Sequence, residues 1–416
     1  MTGILALLAL LGTPLFAVLA GFALLGFHGQ EIPGTAVIIE MARMAGTSTL
    51  TPIPLFALAG YVMASGSGPQ RLVAFSQTLL GWMPGGLGLA CLAASALFTA
   101  LTGASGVTII ALGGLLLPAL LSAGYHERFS LGLVTTSGSL GLLFPPSLPL
   151  IIYAFIAEVP VDDLFRAGLL PGSLLVVVLA LYSGLVARRH GVTRTRFNVA
   201  ALAGAFRHAV GELVLPVVVI AGIYGGFLTV PEAAAFAAGY AILLAVVIRR
   251  ELSPRALVGV IRESMLLVGG ILVILCAALG LTSYLVDIQL PMNILAAMEG
   301  HVTSKLMFLL LLNLLLLAVG CLMDIFSALV VVVPLVLPLA IQFGVNPIHL
   351  GIIFLTNLEI GYSTPPVGLN LFVSSFRFRK PVVSLYLASL PFLAILLAAL
   401  ALITYWPTLS LALVKG

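Results

Sequence analysis

Apolar residues come in long runs along this chain, and polar residues are confined to short interruptions between them. A helix needs roughly 20 apolar residues to cross a bilayer. Runs of about that length lie at 3–27, 169–187, 209–228, 231–248, 264–283 and 383–404, with a shorter, proline-interrupted one at 49–65. Each predicts a membrane helix. Four further apolar stretches predict helices with a break. Residues 86–123 are interrupted at Thr102-Gly-Ala-Ser-Gly-Val-Thr108, and 128–157 at Ser137-Gly-Ser-Leu-Gly-Leu-Leu-Phe-Pro-Pro-Ser147. Residues 305–343 are interrupted around Gly320-Cys-Leu-Met-Asp-Ile-Phe-Ser327, and 347–376 at Gly361-Tyr-Ser-Thr-Pro-Pro-Val-Gly368. Segments 34–46 and 70–83 are amphipathic and predict helices lying along the interface.

Composition makes the solvent unambiguous. Of 416 residues 61% are hydrophobic and only 8% are charged, against about 25% charged in a soluble protein. The mean hydropathy is +1.24. These values exclude a soluble enzyme, a nucleic-acid binder and a disordered chain, and define an all-α polytopic membrane protein. Cys91, Cys276 and Cys321 sit in apolar runs with neither disulfide nor metal spacing. The first apolar run lacks a basic leader and is long for a signal peptide, so it reads as the first membrane helix.

The breaks are related by a shift of 220. Pro118, Pro145, Pro146 and Pro171 then fall on Pro338, Pro365, Pro366 and Pro391, and Gly124, Thr136 and Gly141 on Gly344, Thr356 and Gly361. The chain therefore divides into a first repeat at 1–187, a basic loop and connecting helix at 188–222, and a second repeat at 223–416. Each repeat holds a re-entrant hairpin (86–123, 305–343) and a broken helix (128–157, 347–376). Three basic loops, near Arg188–Arg207, Arg249–Arg262 and Arg377–Lys380, hold 12 of the 18 Lys and Arg. The positive-inside rule places them in the cytoplasm. The acidic loop Glu158–Asp163 is then external, the N-terminus cytoplasmic, the C-terminus external, and the two repeats inverted.

Backbone leaves a helix at membrane depth only where protein or a water-filled cavity satisfies it. Paired breaks of Gly, Ser, Thr and Pro are the layout of a secondary transporter's binding site. Half-helix N-termini suit a carboxylate, and unwound carbonyls and hydroxyls suit Na⁺. Bland readings stand beside these. The Gly103–Thr108 segment equally describes a small-residue packing notch, and Asp324 equally describes a cap on the following half-helix. Glu359 faces either a basic residue or the interface, and Glu212 and Glu232 read as interfacial. No His ligand spacing, nucleotide loop or catalytic set is present, so an enzyme is not expected.

Several segments resemble a known family. Asn357-Leu-Glu-Ile-Gly-Tyr-Ser-Thr-Pro-Pro-Val-Gly-Leu-Asn-Leu-Phe-Val373 and Gly320-Cys-Leu-Met-Asp324 closely resemble the large membrane subunit of tripartite ATP-independent periplasmic (TRAP) transporters. Leu112-Gly-Gly-Leu-Leu-Leu-Pro-Ala119, Phe144-Pro-Pro-Ser-Leu-Pro149, Asp163–Gly172 and Gly222–Ala235 look like further family blocks, so the likeness spans nearly the whole chain. The resemblance implies an ion-transporter-type fold in the bacterial inner membrane, with a scaffold and an elevator-type transport domain. It implies coupling to the Na⁺ gradient with no other cofactor. It also implies two partners, a small four-helix membrane subunit and a periplasmic binding protein delivering an organic acid. The first hairpin tip departs from the family in having one Ser and no acid, and Val230-Pro231 stands where the family tends to have Pro-Thr.

The symmetric breaks then set site expectations. One Na⁺ site is expected from Gly103, Ser105 and Gly106 with Ser137, Ser139 and Pro145, and a second from Asp324 and Ser327 with Gly361, Ser363, Thr364 and Pro365, many through backbone carbonyls. Thr108, Ser147, Asp324, Asn357 and Thr364 are expected around the substrate. Competing readings are a stand-alone Na⁺/dicarboxylate symporter of the same fold and a membrane-embedded enzyme or scaffold.

Overall fold

The computed structural model describes residues 13–35, 37–39, 42, 47, 50–192, 196–290, 292–293, 302 and 304–414. The start of the first expected helix and most of the amphipathic segment 34–46 lie outside them. Among the described residues the regular elements are helical. Eight helices are long and apolar enough to cross a membrane, or nine if a pair bent by 45° at Glu127–Leu143 and Leu148–Ala157 is one span.

The chain opens with α1 (Leu15–Gly29), α2 (Pro52–Ser65) and the amphipathic α3 (Gly68–Leu80). Prolines in the first turns of α2 and α3 start these helices rather than interrupting them, since a first-turn proline sacrifices no hydrogen bond. The first hairpin follows as α4 (Gly86–Thr102) and α5 (Ser105–Ser122). The first broken helix is α6 (Glu127–Ser137), a 3₁₀ turn at Leu140–Leu143, and α7 (Leu148–Ala157). Next come α8 (Val161–Arg189), α9 (Val199–Tyr224), α10 (Val230–Ile242, continued by a π turn to Ile248) and α11 (Pro254–Asp287). The second hairpin is α12 (Lys305–Leu322) and α13 (Ile325–Gln342), and the second broken helix is α14 (Pro347–Gly361) and α15 (Leu369–Phe378). The chain ends in α16 (Val382–Tyr405) and a short α17 (Thr408–Leu411).

Several helices exceed their apolar runs because capping residues set their starts. The expected 209–228 helix begins at Val199, where the Asn198 side chain accepts from Ala200 and Ala201 N–H at 2.9 and 3.2 Å. The expected 264–283 helix begins at Pro254, with Ser253 as its cap. The acidic segment before 169–187 is partly helical: Asp162 and Asp163 lie in the first turn of α8, where carboxylates complement the helix dipole. Both hairpin breaks are shorter than expected. Only Gly103 and Ala104 leave the helix in the first, and only Met323 and Asp324 in the second.

The second hairpin and broken helix recur at the expected offset. Pro145-Pro146 and Pro365-Pro366 both contain cis bonds, and Gly124 and Gly344 both have positive φ. The recurring units interlock. α5 packs on α15 while α13 packs on α7, and α16 packs on α6 while α8 packs on α14. A second group of contacts joins α1 and α2 to α10 and α11, with α9 on α3 and α10.

Two acidic residues correct the sequence reading. Glu212 is not interfacial: it is 1% exposed within α9, and Arg71 Nε donates to it at 2.8 Å. A carboxylate without water needs such a partner, and a lone Glu beside an apolar run does not reveal a partner 141 residues away. Arg71 also donates to Glu251 at 2.5 Å, and this bond holds the Glu251 carboxyl below its ordinary range. Its contribution to stability is thus present above the unfolded carboxylate pKa, about 4.3, and lost as pH falls below it. Glu251→Gln is expected to flatten the loss of thermal stability between about pH 5 and pH 3, by under about 1 kcal/mol because the pair is partly exposed. Thermal unfolding across that range reads the effect. The second correction is Glu359, which faces neither a basic residue nor the interface. It is 1% exposed, and neither carboxylate oxygen has a hydrogen-bond partner.

Candidate transport site

The first break is a closed knot of hydroxyls and backbone. Gly103 ends α4 in the left-handed conformation (φ 66°), which turns the chain directly into α5. The Thr99 and Thr108 hydroxyls lie 2.7 Å apart, and Thr99 also donates to the Gly138 carbonyl at 2.8 Å. Ser137 and Ser95 hydroxyls are 3.2 Å apart, and Ser139 Oγ donates to the Glu359 carbonyl at 3.4 Å, bridging the first broken helix to α14. Ser147 Oγ donates to the Leu142 carbonyl at 2.5 Å within the break. Pro145 and Ser147 are buried. Of the expected residues, Thr108 reaches Gly138 through Thr99, the Ser105 carbonyl lies against Gly138, Ser137 bonds Ser95, Ser139 bonds the Glu359 carbonyl, and Gly106 is half-buried. Thr99 joins them without having been expected, since a threonine inside an apolar helix carries no local signal. Thr99→Val is expected to cost about 1–2 kcal/mol, read by thermal unfolding, because it strands the Gly138 carbonyl.

The second break is open where the first is closed. Asp324 caps α13: one carboxylate oxygen accepts from Phe326 and Ser327 N–H at 3.0 and 3.1 Å, and the other accepts from the Ser327 hydroxyl. The capping alternative is thus observed, and the side chain is also exposed. Tyr362, not singled out in the sequence, accepts from Ile325 N–H with its hydroxyl and ties the tip to the end of α14. The Gly368 N–H donates to the Cys321 carbonyl at 3.0 Å. Gly361 lies directly against the backbone of Gly320. Thr364 and Pro365 are half-buried, and Pro366 and Val367 are exposed. Ser363 Oγ is buried without a hydrogen-bond partner.

The structure does not bring Asn357 to this break. Its amide donates to Asn313 Oδ1 at 2.6 Å, and Asn313 in turn bonds Thr404 at 3.2 Å. This buried polar network lies on the face of α14 that α12 covers.

Both hairpin tips flank α15. A Cβ on Gly106 would lie 3.6 Å from Val373, while Cys321 at the end of α12 holds Gly368 at the start of the same helix. The two tips also differ in their caps. α13 is capped by Asp324, whereas the N-cap of α5, Ala104, provides no side-chain acceptor for the first amides. The first tip leaves donors for an anion, and the second presents an acid.

A multi-pass helical chain built round two helix breaks has the architecture of a membrane transporter. Residues 2–409 match the family model described as the tripartite ATP-independent periplasmic transporter, DctM component. The chain is 35% identical over 428 residues to the C4-dicarboxylate TRAP transporter large permease protein DctM of Rhodobacter capsulatus, covering 99% of this chain and 97% of that one. It is 34% identical over 420 residues to the isethionate TRAP transporter permease protein DctMQ of Oleidesulfovibrio alaskensis, covering 98% of this chain and 65% of that longer one. The solved structure of the YdaH transporter from Alcanivorax borkumensis superposes with a TM-score of 0.64 over 92% of this chain and 89% of that one. At 16% identity that likeness shows the fold alone. The chain belongs to the DctM family, the large permease components of TRAP transporters, and is a transport protein rather than an enzyme.

Proposed function

We propose that this chain imports an organic acid by Na⁺-coupled, elevator-type alternating access. A periplasmic binding protein delivers the acid, and a small four-helix membrane subunit assists. The carrying observation is the contrast between the two tips that flank α15. The α5 N-terminus offers backbone donors to a carboxylate. The exposed Asp324 carboxylate, the unbonded Ser363 hydroxyl and the half-buried Thr364 and Pro365 offer oxygens of the kind Na⁺ takes. At the first break the hydroxyls already bond one another, so Na⁺ there would rely on backbone carbonyls around Gly103, Ser137 and Pro145.

The inverted arrangement of the two repeats is part of this reading, with the N-terminus in the cytoplasm and the C-terminus in the periplasm. So is a moving domain formed by the hairpins and broken helices, supported by α1, α2 and α9–α11. Relatives named for C4-dicarboxylates and isethionate support an anionic substrate.

The test is uptake of a C4-dicarboxylate and of isethionate by proteoliposomes holding the chain and its small subunit, with the binding protein outside. Uptake is expected only with an inward Na⁺ gradient. Equal uptake under a K⁺ gradient overturns Na⁺ coupling, and undiminished uptake without the binding protein selects the stand-alone symporter.

A further inference from the structure

The start of α6, the end of α8 and the first half of α16 line two open cavities that share Arg128. The larger, about 390 Å³, has His126, Arg128 and His190 at its mouth and Phe129, Tyr182 and Phe392 deeper in. The polar mouth lies at the start of α6 and the end of α8, and Tyr182 is about two helical turns below His190. The floor is a ring cluster, with Phe129, Tyr182 and Phe392 centroids 5.2–5.8 Å apart. The second cavity, about 260 Å³, shares His126 and Arg128 and is mostly polar, with Glu127, Lys380 and Ser384 beside Leu131 and Leu387. Leu181, Leu185 and Leu387 are exposed around them, a surface suited to lipid.

Charge is unbalanced at the shared mouth. Lys380 is matched by Glu127 at 2.5 Å. Arg128 pairs with no carboxylate among the described residues. Its guanidinium is held instead by the Leu387 carbonyl, with Nε at 3.2 Å and one terminal nitrogen at 3.0 Å. That contact fixes the fork between the two cavities and leaves its remaining N–H groups free. Arg188, Arg189 and Arg379, all exposed, add positive potential at the same end.

We propose that this groove binds one anionic phospholipid, with its phosphate at Arg128 and an acyl chain entering the aromatic-floored cavity. One unpaired cation beside an aromatic-floored cavity matches one phosphate beside an acyl chain. Basic pockets between membrane helices recognise anionic headgroups in this way. The site is separate from both breaks and does not depend on the substrate or the coupling ion.

The test uses the full chain with its small subunit in detergent, with phosphatidylglycerol, phosphatidylcholine or inorganic phosphate added. Native mass spectrometry counts bound lipid, and thermal unfolding reads its effect. Phosphatidylglycerol is expected to stay bound one per chain and to raise the unfolding midpoint, and phosphatidylcholine and inorganic phosphate to do neither. Arg128→Gln should weaken phosphatidylglycerol binding about fivefold, while Arg255→Gln, an exposed arginine at the start of α11, should leave it unchanged. If Arg128→Gln does not assemble, Arg128→Lys must still lower occupancy, because it keeps the charge and loses the fork; parental occupancy overturns the proposal. It is also overturned by equal stabilisation from inorganic phosphate, by equal binding of phosphatidylcholine, by equal loss in Arg255→Gln, or by lipid bound only when the small subunit is absent, which would make the groove that subunit's seat.

Discussion

Asp324→Asn is expected to leave the protein as stable as the parent while raising the Na⁺ concentration for half-maximal uptake about tenfold or more. The side chain has two separable roles. As a cap it accepts from the Phe326 and Ser327 amides, and asparagine is as good a cap as aspartate. Its negative charge, however, is placed at an exposed tip within an otherwise apolar hairpin, where an ionisable residue is costly unless it meets a cation. Asparagine keeps the first role and removes the second. Asp324→Ala removes both, so it should lose about 1 kcal/mol of stability through the cap as well. Thermal unfolding beside a Na⁺ titration of uptake separates them. A parental Na⁺ response in Asp324→Asn would reduce Asp324 to a cap and move the ion to backbone and hydroxyl oxygens alone.

The positions of the breaks were legible because glycine and proline mark them directly. Their extents were not. Around Asp324 the only other non-apolar residues are Gly320 and Ser327, both inside helices, and only the capping geometry shows that helix resumes at Ile325. Pro334 and Pro338 look like breakers, yet both lie inside α13. A proline in a membrane helix is tolerated where neighbouring protein satisfies the freed carbonyl. The side chains that fasten each tip were illegible for a different reason. Thr99 and Tyr362 act through partners on other elements, Gly138 across the break and Ile325 on the hairpin. Asn357 shows the converse. It opens the family-like block that ends at Val373, but its amide is taken up by Asn313 on α12, one turn before the break. Glu212 and Glu359 were misplaced because burial of a charge depends on what packs over it, and one chain's hydropathy does not report that.

The packing of α12 on α14 underlies the second large effect, Gly361→Ala. A Cβ there would lie 2.6 Å from the Gly320 carbonyl carbon, 2.7 Å from Gly320 Cα and 3.0 Å from Cys321 N. All three are backbone atoms, so no side chain can rotate away and α12 must move. The reciprocal contact is close but less severe, since a Cβ on Gly320 would lie 3.0 Å from Leu358 Cα. Moving α12 also pulls on the Gly368–Cys321 bond and on the Tyr362 hydroxyl that holds the start of α13, so the overpacking is transmitted to the second tip. The expected result is a loss of about 1–3 kcal/mol of stability and uptake reduced to a tenth or less of the parent's, about the effect of 1.4 kcal/mol at the transport step. Gly270→Ala is the matched comparison, because nothing lies within 4 Å of its Cβ in α11. It should be neutral or stabilising by up to about 1 kcal/mol through helix propensity. Vesicle uptake and unfolding midpoints for the two variants check both expectations. Parental uptake by Gly361→Ala would show that the second tip works without the close α12–α14 contact, and the site would then have to be sought in the α5–α15 half of the fold.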